Sequence, residues 1–542
     1  MAQFSSASWP SITVSPEQLA AIRTSFMADW DKVCQQASQG TLQAPTDRRF
    51  RDPAWSSNPW FAGLAHSYVL GARALNQLAD AAQADDETRE RLRFTLMQWA
   101  EATSPANFFL TNPQAQQKAI ETHGQSIASG MLNMLQDLQK GHLSQTDEDA
   151  FEVGKNVAIT PGHVVYQNAL MQLIQYAPQT EQVHSCPLVI VPPCINKYYI
   201  LDLQENNSFV NYAVQQGFTV FLVSWRNPLP SDTDGIQQAT WGDYLQQGVL
   251  TALHAASQIS SQPQVNALGF CVGGTMLASA LGLAHGSGWQ PVRSLTLLTS
   301  FLDFTHSGVL DVFVDEQHAR WRDFQLGAGG LMSARELGTT FSFLRPSELV
   351  WNYVSSNYLM GDAPPAFDLL YWNSDGTNLP GPYFAWYFRN TYLDNKLIKP
   401  DQVVVDGIPL DLGTLDMPAF IYGSRDDHIV PWEGAYDSMH ILKGPRRFVM
   451  GASGHIAGVI NHPARGRRSY WAQHADTGHQ ASAMPADQWL DAATEHAGSW
   501  WPDWIQWLKH HAGDLQPAPT QAGSSHYQPI EQAPGRYVQV RA

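Results

Sequence analysis

Gly269-Phe270-Cys271-Val272-Gly273 sets a thiol midway between two glycines, where an apolar run meets a run of small residues. Val265 to Phe270 predicts a strand and Gly274 to Leu283 predicts a helix, so Cys271 falls in a sharp strand-to-helix turn. Glycines without a Cβ let strand and helix close around a nucleophile held in a strained turn. The helix N-terminus beyond it offers backbone N–H groups and a positive dipole end, which stabilise a thiolate and later an oxyanion. Taken alone, Gly-x-Cys-x-Gly describes a buried cysteine in a tight turn equally well. Its company decides.

A nucleophile elbow of this kind needs an acid and then a histidine, in that chain order, on loops past later strands. The strand predicted over Pro418 to Gly423 runs into Ser424-Arg425-Asp426-Asp427-His428, and that over Arg447 to Gly451 runs into Ser453-Gly454-His455. His455 would take the thiol proton and return it to a leaving group. Asp427 would fix its tautomer and steady the imidazolium, with Asp426 as the alternative acid on spacing. His428 beside it is a second base or a structural hydrogen-bonding group.

An oxyanion hole would pair the Val272 N–H with one from the loop after an earlier strand. Val191-Pro192-Pro193-Cys194-Ile195-Asn196-Lys197 is that loop, stiffened by its prolines, and the N–H of Cys194 or Ile195 is the donor. The Cys194 thiol itself is expected to be a packed group. HExxH, paired-cysteine, GxGxxG and Walker A patterns are missing from the sequence, which predicts no metal and no nucleotide cofactor.

The elements that must position these groups alternate from about residue 187. Strands are predicted at Pro187 to Val191, Thr219 to Trp225, Val265 to Phe270 and Val292 to Leu298, with helices at Ser208 to Gln216 and Trp241 to Ile259. That alternation implies a parallel sheet covered on both faces, an α/β class. It stops near Asp303 and resumes at Pro418, so residues 303–416, rich in aromatic side chains, form a cap inserted at the carboxyl end of the sheet. Gly327-Ala328-Gly329-Gly330-Leu331 is a flexible point in that cap or an ordinary surface loop. Residues 1–175 look different: Glu17 to Gln36, Phe61 to Gln83, Asp86 to Thr103 and Asn112 to Leu138 carry helical spacing. The expectation is a helical N-terminal domain over 1–175 and an α/β-hydrolase fold with a cap over 176–542.

Net charge is −17 with no long basic tract, which argues against nucleic acid and against electrostatic docking on an anionic membrane. With 44% hydrophobic and 15% charged residues, the chain is globular. Cys34, Cys186, Cys194 and Cys271 show no disulfide framework, which suits the reducing cytoplasm and a working thiol. The opening MAQFSSASWPSITVSPEQ has neither the basic start nor the apolar centre of a leader, and no apolar run reaches transmembrane length.

Longer motifs now add a resemblance. Pro192 to Leu203, Val223-Ser224-Trp225-Arg226-Asn227-Pro228 and Gly269 to Thr275 resemble segments of the polyhydroxyalkanoate synthases, class I, built from one kind of subunit. So do Phe341 to Pro346, Tyr371-Trp372-Asn373, Asn378 to Pro382, Gly423 to Trp432 and Gly451 to Asn461. The likeness runs from about Asp52 to Pro534-Gly535-Arg536-Tyr537. It implies a short-chain (R)-3-hydroxyacyl-CoA substrate such as 3-hydroxybutyryl-CoA, with a polyester and free CoA as products. It puts the catalytic set on Cys271, Asp427 and His455, with Asp427 either orienting His455 alone or also activating the 3-hydroxyl. It further implies a homodimer on cytoplasmic polyester granules and granule or partner contacts for the N-terminal region. Trp372 and Trp386 would screen water from the acyl-enzyme or simply pack. Arg465, Arg467 and Arg468 would meet the CoA phosphates or form a solvated basic turn. Gly498 to Trp504 would touch the polymer or pack a C-terminal helix. A cysteine thioesterase or polyester hydrolase on the same fold is the rival reading, and a non-catalytic granule-coat protein is the other.

Overall fold

A computed structural model describes residues 12–473 and 484–542. The leader expectation rests largely on residues 1–11, which lie outside the described residues. The chain divides into two compact units, one of Met1–Glu148 with Thr339–Ala366 and one of Asp149–Gly338 with Phe367–Ala542.

In the first unit, α1 (Pro16–Ser38), α2 (Pro59–Asp80) and α3 (Asp86–Ala102) begin behind Ser15, Asn58 and Asp85, whose side chains accept backbone N–H groups of the first turn. The single helix expected over Asn112 to Leu138 is two, α4 (Pro113–Glu121) and α5 (Gln125–Lys140). The break falls at His123 and Gly124, both at positive φ (50° and 85°), which no helical spacing of apolar residues reveals. Residues 339–366 sit in this unit because α5 accepts them closely. Tyr358 donates its hydroxyl to Asp137 at 2.7 Å, and the Asn133 amide donates to the Asn357 carbonyl at 3.0 Å. The expected cap is thus divided between the units, and 149–175 belong with the catalytic half. Local patterning carries no information on which distant helix a segment will pack against.

The second unit is built on an eleven-stranded sheet. Its strands are β1 (Gly162–Gln167), β2 (Met171–Tyr176), β3 (Leu188–Val191), β4 (Val220–Trp225), β5 (Val265–Phe270) and β6 (Val292–Leu298). They continue with β7 (Ala419–Ser424), β8 (Arg446–Gly451), β9 (Ser469–Ala472), β10 (Thr494–Ala497) and β11 (Glu531–Gln532). The order is β10-β9-β8-β7-β6-β5-β3-β4-β2-β1-β11. From β4 through β8 neighbouring strands run parallel, and the two flanks are antiparallel. The parallel strands match the sequence expectation within a residue or two. The flanks do not: β1 and β2 lie in the stretch expected to be helical. There β2 presents Gln172 and Gln175, both buried by side-chain partners, so its polar letters hide a core strand.

The helical run Trp241 to Ser260 includes a wide π-turn at Tyr244–Leu250, where Gly248 meets the Trp225 ring too closely for a Cβ (2.6 Å). Trp241, fully buried, stacks on Trp386 at 4.9 Å and on Tyr387 at 5.4 Å, which seats the inserted helix Gly381–Tyr387. Among the described residues, no helix is long and apolar enough to cross a membrane.

Two α-helical glycines of the first unit give opposite expectations. A Cβ on Gly130 of α5 would lie 2.0 Å from the Tyr358 carbonyl oxygen, whereas one on Gly71 of α2 meets nothing within 4 Å. Gly130→Ala is expected to cost about 1–3 kcal/mol in urea unfolding, and Gly71→Ala to add about 0.4–1 kcal/mol. Equal midpoints for the two variants would contradict this packing.

Candidate active site

Cys271 closes β5 and caps α6 (Val272–Gly286), with φ 53° and ψ −131°, a conformation rarely taken by a residue with a side chain. Its N–H is fastened to the Leu298 carbonyl at 2.9 Å, one strand over. Room for the turn comes from the flanking glycines. A Cβ on Gly269 would stand 2.3 Å from the Gly274 Cα, and one on Gly273 would stand 2.2 Å from the Val191 carbonyl oxygen. The sulfur is partly buried.

β7 and β8 lie beside each other, with Ser424 opposite Gly451, so the loops leaving them are neighbours. The Asp426 N–H donates to the Ser453 carbonyl at 3.0 Å, tying one loop to the other. Asp427 then turns inward. One carboxylate oxygen accepts the N–H groups of Ile429 (2.8 Å) and Val430 (2.9 Å), and the other meets His455 Nδ1 at 2.6 Å. Asp426, by contrast, is exposed, so the geometry selects Asp427 from the adjacent pair.

His455 is 5% exposed and lies face to face with Phe270, ring centres 5.7 Å apart. Burial disfavours its imidazolium. The charges of Asp427 and Cys271, and hydrogen bonds to both side chains, outweigh burial and push the ring's pKa up to about 10. The imidazole therefore stands between acid and thiol.

The other expected residues are placed as follows. Val272 is the first residue of α6, where an N–H has no partner within the helix. Cys194 is buried, its thiol 3.1 Å from the Tyr383 hydroxyl, and burial pushes that thiol's pKa up to about 12. It is a packed group. Ile195 accepts the Thr377 N–H on its carbonyl at 2.8 Å, which ties this loop to residues 376–378. Trp372 is 4% exposed in the core, and its indole N–H donates to the Lys197 carbonyl at 2.6 Å, the packing role that the sequence also allowed. His428 is half-buried beside Asp427. Arg465, Arg467 and Arg468 are exposed on the turn after His455, with the Arg468 guanidinium reaching back to the Ala457 carbonyl.

Spacing missed two residues. Burial, then Tyr392 and the charge at Cys271, push the Tyr387 hydroxyl's pKa up; burial and Cys271 do the same for Tyr392. Both belong to the aromatic insertion, where tyrosines are so frequent that no pattern marks these two.

Residues 187–461 match the alpha/beta hydrolase fold, and residues 46–213 match the family described as poly-beta-hydroxybutyrate polymerase (PhaC) N-terminus. A poly(3-hydroxyalkanoate) polymerase subunit of Cupriavidus necator is 51% identical over 541 residues, 98% of this chain and 90% of that protein. The chain belongs to the poly(3-hydroxyalkanoate) polymerase family. Similar polymerases from Rhizobium meliloti (39% over 528 residues, 96% of this chain and 84% of that one) and Methylorubrum extorquens (40% over 503, 92% and 81%) carry the same name. As a family member the chain is an enzyme, a synthase of acyltransferase type.

In this polymerase-family chain the His455–Asp427 pair ties stability to pH. The folded imidazole's pKa lies above its ordinary 6.5, so its contribution is complete below pH 6.5 and is lost as pH rises towards about 10. Asp427→Asn is expected to lower Tm by several degrees near pH 6 and by much less near pH 10. A calorimetric Tm gap that widens with pH would contradict the pairing.

Proposed function

We propose that the chain polymerises an (R)-3-hydroxyacyl-CoA, with a short acyl group such as 3-hydroxybutyryl, into a polyester and releases CoA through an acyl-cysteine at Cys271. The observation that carries this reading is the Asp427–His455 pair, 2.6 Å apart, with the imidazole stacked on Phe270, the neighbour of Cys271 in the strained elbow.

Each step follows from what these side chains can do. His455 holds the thiol proton while Cys271 sulfur attacks the thioester carbonyl. Negative charge moves to the carbonyl oxygen, where the Val272 N–H and that of Cys194 or Ile195 donate to it. The carbon–sulfur bond to CoA breaks, and the CoA sulfur takes the proton from His455. One thioester has replaced another, so little energy is lost. The 3-hydroxyl of a second acyl group then gives its proton to His455 and its oxygen attacks the acyl-cysteine. An ester forms, Cys271 leaves and is reprotonated, and the chain has grown by one unit. Asp427 Oδ2 fixes the Nδ1–H tautomer, which keeps the other ring nitrogen directed at the reacting atoms. In the same reading the exposed Arg465, Arg467 and Arg468 attract CoA phosphates, and the enzyme works as a homodimer attached to polyester granules in the cytoplasm.

The test is CoA release from (R)-3-hydroxybutyryl-CoA, followed together with pelletable product. Polyester and CoA are expected in step, and Cys271→Ala is expected to reduce both by about a thousandfold or more. CoA release with soluble 3-hydroxybutyrate alone would replace the synthase with a thioesterase.

A further inference from the structure

The loop that carries Cys194 and Ile195 is held by two segments far from it in sequence. On one side lies Trp372 to Asn378. Its Trp372 indole reaches the Lys197 carbonyl, Thr377 N–H reaches the Ile195 carbonyl, and Asn196 bridges to Gly376. On the other side lies Pro534 to Arg541. The Pro534 carbonyl accepts the Tyr198 hydroxyl at 3.4 Å, and the Val540 carbonyl accepts both the Lys197 ammonium and the Asn227 amide (3.1 Å). Asn227 passes the constraint on, its carbonyl oxygen accepting the Asn378 N–H at 3.0 Å. Arg541 donates to the Tyr371 hydroxyl at 2.7 Å and lies over that ring.

Lys197 is the odd member. It is 3% exposed, and a lysine is expensive to bury. Burial pushes its ammonium down to about 8, opposed by Asp375 and reinforced by Arg541. Asp375 in turn accepts the Tyr199 hydroxyl at 2.9 Å. A methionine would fill the same volume without a charge to desolvate. What the ammonium adds is a fastening: side chain to Val540, own carbonyl to Trp372, two residues beyond Ile195.

We propose that Lys197, anchored on the Val540 carbonyl, is a positioning residue that holds the Cys194–Ile195 peptide units in register with the elbow at Cys271. This rests on the acyl-cysteine reading above, because the peptide units matter only if an oxyanion forms there. Its role is met during thioester attack and not during simple alkylation of the thiol, which generates no oxyanion.

The experiment compares wild type, Lys197→Met, Lys197→Arg and a chain shortened after Gln539, which keeps Lys197 and removes its anchor. CoA release from (R)-3-hydroxybutyryl-CoA gives kcat and KM; iodoacetamide labelling of Cys271 and Tm are read in parallel. Lys197→Met and the shortened chain are expected to lose about 10- to 100-fold in kcat, with KM, labelling rate and Tm near wild type, and Lys197→Arg to recover most of the loss. Unchanged kcat, or kcat falling together with labelling and Tm, overturns the proposal. If Lys197→Met does not fold, the shortened chain alone decides by the same split. Cys271→Ala separates the two levels: turnover retained there removes the acyl-cysteine reading and this proposal together. Turnover lost in Cys271→Ala but intact in the Lys197 variants removes this proposal only.

Discussion

The turn at Cys271 stores strain that the surrounding backbone must hold. A positive φ on a residue with a side chain costs on the order of 1–3 kcal/mol and persists only where neighbours leave no alternative. Here β6 takes the Cys271 N–H, and Gly274 of α6 lies against Gly269. The carbonyl of Val191 occupies the space a side chain on Gly273 would need. Those contacts tie together β3, β5, β6 and the start of α6. The order of the central strands is therefore not incidental to the site. Moving β3 away from β5 would release the elbow and separate the Cys194–Ile195 loop from Val272 in one motion.

The electrostatic half of the site hangs on the next two strands. Asp427 spends one oxygen on two backbone N–H groups and so faces His455 with the other, in a single orientation. Phe270, the residue before the nucleophile, supplies the flat surface against which the imidazole lies. The strand that ends in the thiol thus also aligns the base. The imidazolium, disfavoured by burial, is stabilised by charges on both sides.

Much of this was legible because its physics is local. Parallel strands buried on both faces read as short apolar runs, and an elbow needs glycines at fixed positions, so β3 to β8 and Cys271 stand out in the letters. Asp427 and His455 follow from chain order and strand ends. Between Asp426 and Asp427 spacing favoured Asp427 only weakly, since the choice depends on which carboxylate meets the N–H groups of Ile429 and Val430. The antiparallel flanks were illegible for a different reason. Gln172 and Gln175 look solvent-facing in sequence, and their burial depends on partners at Gln167 and Gly523. Likewise the joining of 339–366 to the helical unit rests on contacts between residues more than two hundred positions apart, such as Tyr358 with Asp137. Spacing could not choose between the two roles left open for Trp372, because an aromatic ring screens water, lines a pocket or fills a core with the same letter.

An acyl-cysteine that waits for an alcohol in the presence of water must gain its selectivity from access, since the thioester itself does not distinguish one hydroxyl from another by much. Under the proposed chemistry the aromatic insertion would meet that requirement. Tyr383, Trp386 and Tyr387 stack on Trp241 with ring centres 5.5, 4.9 and 5.4 Å away. The Tyr383 hydroxyl that the insertion brings inside is satisfied by sulfur on both sides, accepting the Cys194 thiol and donating to Met276. Under the proposed chemistry the difference between a polymerase and a hydrolase on this fold then lies less in the three reacting residues than in how dry the insertion keeps them.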